Sequence, residues 1–295
     1  MFKNLDAKAL GLAATQSETI ELALSFGFRG IDLDIADFAA EVKTYGLPKA
    51  RRLLDSAKLK VGSFVLPIDW QREDGFEADL KKLAELAGLA ASVGARRVVT
   101  VIEPANDERP YHQNFEFMGR RLTELGSALE AHGLKLGVGF DASAASRQGK
   151  SFEFVHDLDA MLVLLSTVHA ANVGLWLDVW QVWACGASLD EVRRKLPRGQ
   201  VVAVTLSDAE EGPPESADPA TRRLPGETGV IETAPLLATL AEAGYDGPVT
   251  PTPGPNQVAS MRRDQLVKLA GEKLDAIWKA AGLGPSGKIS ASAGR

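Results

Sequence analysis

Short apolar runs alternate with amphipathic helical stretches along the chain, and this alternation constrains the fold more than any other feature. The pattern repeats about every thirty to forty residues, the length of a strand, a helix and two loops. It predicts an α/β protein built as a single (β/α)8 TIM barrel, rather than a doubly wound parallel sheet. The predicted strands are ALGLAA (9–14), RGIDLDI (29–35), VGSFVLPIDW (61–70), RRVVTVIEP (96–104), LKLGVGFDA (134–142), VGLWLDVW (173–180), QVVAVTLSD (200–208) and PVTPTP (248–253).

The length of the chain is consistent with this prediction. At 295 residues it exceeds the usual size of one domain unless that domain is a barrel, and two small domains are the other option. No glycine-rich phosphate turn follows the first apolar run, which disfavours a dinucleotide-binding domain. We predict a barrel over residues 1–280 and a flexible tail over residues 281–295, because the last residues are small and polar.

The charge balance narrows the class of partner. A net charge of −6 disfavours nucleic acid, because binding to phosphate backbones requires clustered Lys and Arg. No apolar window is long enough for a membrane span, and the N-terminus lacks the apolar stretch of a signal peptide. The single Cys185 cannot form an intramolecular disulfide. These features predict a cytoplasmic protein with a small-molecule partner, and association into a homo-oligomer is compatible with the fold.

Five segments carry a family likeness: FGFRGIDLDI, GLWLDVWQVWACG, VVAVTLSDA, RRLPGETGVIE and AGYDGPV. In this order and spacing they resemble the xylose isomerase-like barrels, which include sugar isomerases, epimerases and family 2 AP endonucleases. The resemblance implies a divalent cation held by a Glu on the fifth strand, an Asp on the sixth, a His on the seventh and a Glu on the eighth. In such epimerases the metal polarises the substrate, and the two glutamates move a proton on and off the adjacent carbon.

Three of these four ligands are absent at the matching positions. Gly139 takes the place of the fifth-strand Glu, Thr205 that of the His, and Thr252 that of the eighth-strand Glu, while Asp178 is retained. Gln181 replaces a substrate-binding His three residues after Asp178. Glycine offers no ligand, and a Thr hydroxyl is a poor one. The sequence therefore predicts a degenerate metal site with no cofactor, or, if there is one, Mg or Mn.

Two functions follow as alternatives. In the first, the barrel binds a sugar or polyol without the usual cation. In the second, it is an active isomerase or epimerase that uses an all-oxygen Mg or Mn site or a shifted set of ligands, with Asp141 as the shifted fifth-strand ligand. An AP endonuclease relative would need three metals and a basic DNA-binding face, which the negative charge disfavours.

The side chains that leave the strand ends are the candidates for the site, because barrel active sites lie at that face. We predict Glu103 and Asp178 as catalytic groups; an ordinary ion pair is the alternative for Glu103, and capping of the sixth-strand loop for Asp178. Arg222 is predicted to contact a substrate hydroxyl; the alternatives are that Arg223 takes its place or that Arg222 pairs with Asp208 or Glu227. The predicted substrate-binding residues are Trp70, His112, Asp141, Gln181, Trp183, Asp208 and Arg222.

Overall fold

The computed structural model describes residues 1–196 and 199–290, and it confirms the (β/α)8 barrel. Parallel strands pair in a ring whose order follows the chain, and the ring closes at the third barrel strand. That strand consists of two short pieces: Lys60–Val61 pairs with the second barrel strand, and Phe64–Val65 pairs with the fourth. Within the described residues the strands are β1 Phe2–Leu5, β2 Gly30–Ile31, β3 Lys60–Val61, β4 Phe64–Val65, β5 Arg97–Val101, β6 Ala105–Asn106, β7 Lys135–Gly139, β8 Phe152–Glu153, β9 Val173–Asp178, β10 Val201–Leu206 and β11 Pro248–Pro251.

The helices form the outer layer, and their apolar faces pack against the strands. Two helices, α2 and α3, follow the second barrel strand, and a short helix, α7, begins directly at the end of β9. Strands β6 and β8 form a small antiparallel pair outside the ring. The described helices are α1 Gln16–Ser25, α2 Ile35–Tyr45, α3 Leu47–Ala57, α4 Phe76–Ser92, α5 Tyr111–Glu130, α6 Leu158–Ser166, α7 Val179–Ala184, α8 Leu189–Lys195, α9 Ala234–Glu242, α10 Pro255–Ala259 and α11 Arg263–Ala280.

The first strand is not where the sequence pattern indicated. Residues 9–14 were predicted as a strand, but the first barrel strand is Phe2–Leu5, and Ala7–Gly11 form a turn that buries Leu10. The reason lies in Asn4, which faces the barrel interior and donates a hydrogen bond to the Thr250 hydroxyl at 3.0 Å. A polar residue in the middle of a four-residue strand hides the apolar pattern.

The C-terminal segment is packed as far as it is described. Leu283 is buried and pairs with Ile289 in an antiparallel bridge, and the N-terminal ammonium of Met1 donates to the Gly287 carbonyl. Residues 291–295 of the predicted tail lie outside the described residues, and the boundary at residue 280 stays a prediction. Across the described part of the chain, no helix combines the length and apolar character needed to cross a bilayer.

Candidate functional site

One row of inward-facing side chains crosses the strand ends at the mouth of the barrel. Thr205 is the register partner of both Thr250 on β11 and Asp178 on β9. Asn4 continues the row through its hydrogen bond to Thr250. Because side chains alternate across a strand, Trp176 and Asp178 point to the same face, which is the interior. The row therefore gathers one carboxylate, two hydroxyls and one amide in the barrel mouth.

Asp178 is engaged in an ion pair with Arg222. One of its carboxylate oxygens accepts hydrogen bonds from the backbone N–H groups of Trp180 and Gln181 and so caps helix α7. The other oxygen accepts a hydrogen bond from Arg222 Nη1 at 2.8 Å. The guanidinium carbon lies 4.3 Å from the centre of the Trp180 ring. Arg222, rather than its neighbour Arg223, therefore reaches the strand-end carboxylate.

The sequence analysis offered an ion pair with Asp208 or with Glu227 as the alternative role of Arg222. The structure gives the guanidinium neither Asp208 nor Glu227 but Asp178, with both side chains of the pair mostly buried at 13% and 17% exposure. Arg223 pairs with Glu210 at the surface. Arg222 Nε is buried and has no hydrogen-bond partner among the residues that the structure describes.

The positions of the three missing ligands are filled in different ways. At Gly139, a Cβ would lie 3.3 Å from the Trp176 ring, so the indole covers the space of a side chain there. Thr205 is 6% exposed, and its hydroxyl finds no hydrogen-bond partner within the described ranges. The Thr252 hydroxyl lies 2.9 Å from the Ser207 hydroxyl. Over residues 1–196 and 199–290, no group of three or more His, Cys, Asp or Glu side chains is arranged to hold a metal ion.

Asp141 and Gln181 organise the loop after β7. Asp141 accepts hydrogen bonds from the Ser143 N–H at 2.8 Å and from the Ser146 hydroxyl at 2.5 Å. Gln181 is buried, and its Oε1 accepts a hydrogen bond from the Ala142 N–H at 2.7 Å. Gln181 thus ties helix α7 to the neighbouring loop. Both residues lie at the ends of their strands, and their part in substrate binding stays a prediction.

Asp208 is fully buried, and its carboxylate holds the loop after β10. One oxygen accepts from the N–H groups of Ala209 and Ile231, and the other from those of Thr228 and Gly229, at 2.7 to 3.0 Å. Four backbone donors saturate the acceptor positions of a carboxylate. The structure therefore leaves Asp208 without a free oxygen for a substrate.

The remaining predicted residues are not brought together with Asp178. Trp70 is 2% exposed, and its Nε1 donates to the Thr100 hydroxyl at 2.9 Å. Thr100 alternates with the inward-facing Val99 and Val101, so Trp70 packs on the helix side of the sheet. His112 is exposed in the first turn of α5, with its ring edge near Tyr111.

Glu103 and Trp183 remain nearer to the mouth. Glu103 follows β5 and is exposed, so its apolar neighbours Val101 and Ile102 do not remove it from water. Its backbone N–H donates to Gln71 Oε1 at 2.8 Å. Trp183 is half-buried on α7 and packs against the Trp180 ring, with the two ring centres 6.0 Å apart. Trp183 therefore supports the aromatic platform on which Arg222 lies.

A second carboxylate group, which was not among the predicted site residues, lies at the ends of the first two barrel strands. Asp32 accepts hydrogen bonds from Asn4 Nδ2 at 2.8 Å, from the Ser63 N–H at 2.8 Å and from the Ser63 hydroxyl at 3.0 Å. Burial, and next the charge of Asp6, raise the pKa of Asp32 to about 7. Burial likewise raises the pKa of the Asp6 carboxyl. Asp6 was not recognised because the first strand was predicted at residues 9–14 instead of Phe2–Leu5. The alternation of Phe2, Asn4 and Asp6 would have placed Asp6 on the inward face.

The opposite side of the mouth is apolar. Val65 is 65% exposed and Val101 is 41% exposed, although both belong to barrel strands. Val65 is the register partner of Val99. Val101 lies two residues after Val99 and therefore points to the same face of the strand. Together with the Trp176 ring, these two valines form an apolar wall facing the polar groups of the first, second and seventh barrel strands. The mouth thus has one polar and one apolar half.

Comparisons with known proteins agree with this fold. The sequence model of the xylose isomerase-like TIM barrel family matches residues 20–271. A xylose isomerase domain protein from Alicyclobacillus acidocaldarius subsp. acidocaldarius is 25% identical, with a TM-score of 0.85 over 95% of this chain and 98% of that one. D-psicose 3-epimerase, solved in the presence of D-fructose, is 13% identical, with a TM-score of 0.74 over 96% of this chain and all (100%) of that one. The IOLI protein with a zinc atom is 17% identical, with a TM-score of 0.76 over 96% and 98%. The last two show the fold alone, and no curated protein matches the chain.

Proposed function

The chain belongs to the xylose isomerase-like TIM barrel family, and on that premise we propose that it binds a sugar or polyol at the barrel mouth without a divalent cation. The family includes isomerases and epimerases that handle polyhydroxy carbonyl compounds, and a sugar is named for one of the structural neighbours. D-fructose is therefore the first ligand to test, followed by other ketoses and polyols.

The observation that carries the proposal is the Asp178–Arg222 pair. Asp178 is the one carboxylate retained from the expected ligand set, and its counter-charge is a guanidinium 2.8 Å away. A mostly buried carboxylate requires such a charge, because desolvation without a partner is costly. Arg222 supplies the positive charge that a cation supplies in the metal-dependent barrels. The stacked Trp180 ring fixes the guanidinium in place, since cations are attracted to aromatic faces.

The donor set does not fit a divalent cation. Gly139 has no side chain, and the Trp176 ring covers its open face. Thr205 and Thr252 contribute only hydroxyl oxygens, and Asp178 is already paired. Hard cations such as Mg²⁺ favour several carboxylate or carbonyl oxygens converging on one point. We therefore derive no step that passes through a metal.

The two halves of the mouth suit a polyhydroxy ligand. A sugar offers hydroxyl groups that hydrogen-bond to polar side chains and a C–H face that packs on apolar ones. On one side, the Thr205 hydroxyl, which has no hydrogen-bond partner among the described residues, provides an acceptor position and the Arg222 guanidinium provides donor positions. Val65 and Val101 provide the apolar wall on the other.

The test compares two adjacent arginines. Arg222→Met removes the buried cation, whereas Arg223→Met removes an arginine that pairs with Glu210 at the surface. We expect calorimetry in chelator to detect D-fructose or a related sugar with the wild type, and Arg222→Met to weaken binding by about tenfold or more, since a charged hydrogen bond is lost. Arg223→Met should leave the affinity unchanged.

A second variant separates loss of binding from loss of folding. In Asp178→Asn/Arg222→Met both charges are absent, so no unpaired carboxylate remains buried, and this variant should fold and still bind weakly. The proposal fails if the wild type binds the sugar only when Mn²⁺ or Mg²⁺ is present, because the all-oxygen metal site would then be the correct alternative.

A further inference from the structure

A cavity of about 300 Å³ lies at the end of the barrel opposite the mouth. It is lined by residues of helices α8 and α9 and by the residues at which three strands begin, Arg97 of β5, Lys135 of β7 and Val201 of β10. Asp178 and Arg222 of the mouth do not line it. Because the strand starts and the strand ends of a parallel barrel form opposite faces, this cavity is separate from the sugar site proposed above.

Two basic residues from neighbouring strands meet at this cavity. Arg97 is the register partner of Lys135, so the two strands place their side chains next to each other. Lys135 is exposed, whereas Arg97 is 9% exposed. The cavity therefore has one buried and one solvated positive charge at the same end.

The guanidinium of Arg97 keeps an unused donor. Its Nη2 donates a hydrogen bond to Asp246, while its Nε is buried and has no hydrogen-bond partner within residues 1–196 and 199–290. A buried donor without a partner is costly. Asp246 is 86% exposed, so water screens its charge more than that of the buried guanidinium. A ligand oxygen that accepts from Nε removes this cost, and a negatively charged oxygen makes the stronger bond.

The other walls of the cavity are largely apolar. Four apolar side chains from α8, β10 and α9 line it: Val192, Val201, Leu236 and Leu240. Two further charged residues lie at the cavity. The guanidinium of Arg193 already donates to Asp190 and to the Thr239 hydroxyl, and Glu242 is exposed to solvent. The apolar walls favour a ligand with an apolar body over inorganic phosphate or a polyol, because such a body removes apolar surface from water.

We propose that this cavity is a second binding site, which takes a small carboxylic acid with a short apolar body. The carboxylate accepts a hydrogen bond from Arg97 Nε and lies beside the Lys135 ammonium, and the apolar chain packs against Leu236 and Leu240. A cavity of about 300 Å³ has the volume of a site for a small ligand. The sugar plays no part in this site, so the proposal is independent of the sugar-binding function.

Calorimetry with hexanoate tests the proposal, and hexanamide is the matched neutral probe. Hexanamide keeps the apolar chain but lacks the charge, so the wild type should bind hexanoate about tenfold more tightly. Arg97→Met should weaken hexanoate binding by about tenfold, and Lys135→Met by a smaller factor, since Lys135 is solvated. Lys81→Met is the control and should leave the affinity unchanged, because Lys81 is an exposed lysine of α4 that does not line the cavity.

A variant with the opposite effect separates loss of the site from loss of folding. Asp246→Asn removes the carboxylate that competes for the Arg97 guanidinium. We expect this variant to bind hexanoate about threefold more tightly than the wild type, since the positive charge at the cavity is then less neutralised. A protein that had lost its fold could not gain affinity.

Backbone amide NMR locates the bound acid. Hexanoate should shift the signals of Val192 and Leu240 at the cavity and leave those of Asp178 and Thr205 at the mouth unchanged. The proposal is overturned if the wild type does not bind hexanoate at about 10 mM, or binds hexanamide equally well. Wild-type affinity in Arg97→Met, or signals that shift only at the mouth, also overturns it. If Arg97→Met does not fold, the Asp246→Asn affinity and the NMR shifts decide.

Discussion

Asp32→Asn is expected to stabilise the protein at alkaline pH. The asparagine keeps every hydrogen bond of the native residue, because its carbonyl can accept from Asn4 and the Ser63 N–H while its amide donates to the Ser63 hydroxyl. It removes only the charge that burial and Asp6 make unfavourable. The variant therefore isolates the cost of ionising Asp32 in the folded state.

The sign and size follow from the raised pKa of Asp32. Because the folded-state pKa exceeds the unfolded one, the folded protein holds more protons between about pH 4 and pH 7, so its stability falls as the pH rises through that window. A rise from 3.8 to about 7 corresponds to roughly 4 kcal/mol, of which more than half develops between about pH 5 and pH 8. The charge of Asp6 is one of the causes of this shift, so the figure already includes the repulsion between the two carboxylates.

Urea unfolding followed by tryptophan fluorescence at a series of pH values measures this difference. We expect Asp32→Asn and the wild type to have similar free energies of unfolding near pH 4, and the variant to be more stable by about 4 kcal/mol near pH 8. Lys8, whose charge acts on Asp6, is unchanged in the variant. Asp55→Asn, an exposed control, should show no such pH-dependent gain. Parallel stability curves for wild type and Asp32→Asn would refute the reasoning.

Substitutions at three further positions test other parts of the site. Gly139→Glu should lower the melting temperature and give no stabilisation by Mn²⁺, because the Trp176 ring occupies the space of the new side chain; a Mn²⁺-dependent rise would contradict this. Gln181→Leu should cost about 1–3 kcal/mol of unfolding free energy, since the buried Ala142 N–H loses its acceptor, whereas Gln181→Glu, which keeps an oxygen there, should cost less. Asp208→Asn should destabilise by at least about 2 kcal/mol, because an amide group cannot accept from four N–H donors; equal stability would show that the loop does not depend on them.

The barrel was predictable because seven of its strands are apolar runs bounded by helical stretches. The first strand was missed because Lys3, Asn4 and the following Asp6 interrupt its apolar character. Asn4 and Asp6 lie at the barrel mouth, so the break in the apolar pattern reflected their position at the candidate site and not a loop. The split of the third strand at residues 62–63 was likewise not predicted; Gly62 lies there, where an added Cβ would overlap the side chains of Asn4 and Asp32.

The site was predictable only in part. Local landmarks placed Asp178 and Gln181 at the end of the sixth barrel strand, and the structure has them there. The partner of Asp178 was not predictable, because Arg222 reaches it through a long loop after β10 whose path depends on the buried Asp208. Trp70 follows its strand closely in sequence, yet sequence alone did not show that its Nε1 bonds to Thr100 on the helix side of the sheet.

The central claim is that a polyhydroxy ligand binds this barrel without a divalent cation. The most direct measurement is the melting temperature of the wild-type protein with D-fructose and related sugars, in chelator and in Mn²⁺. Ligand at about a hundred times its dissociation constant should add roughly 2.7 kcal/mol, a rise of about 5 °C. We predict the same rise in chelator and in Mn²⁺. A rise that appears only with Mn²⁺ and disappears in chelator would contradict the claim.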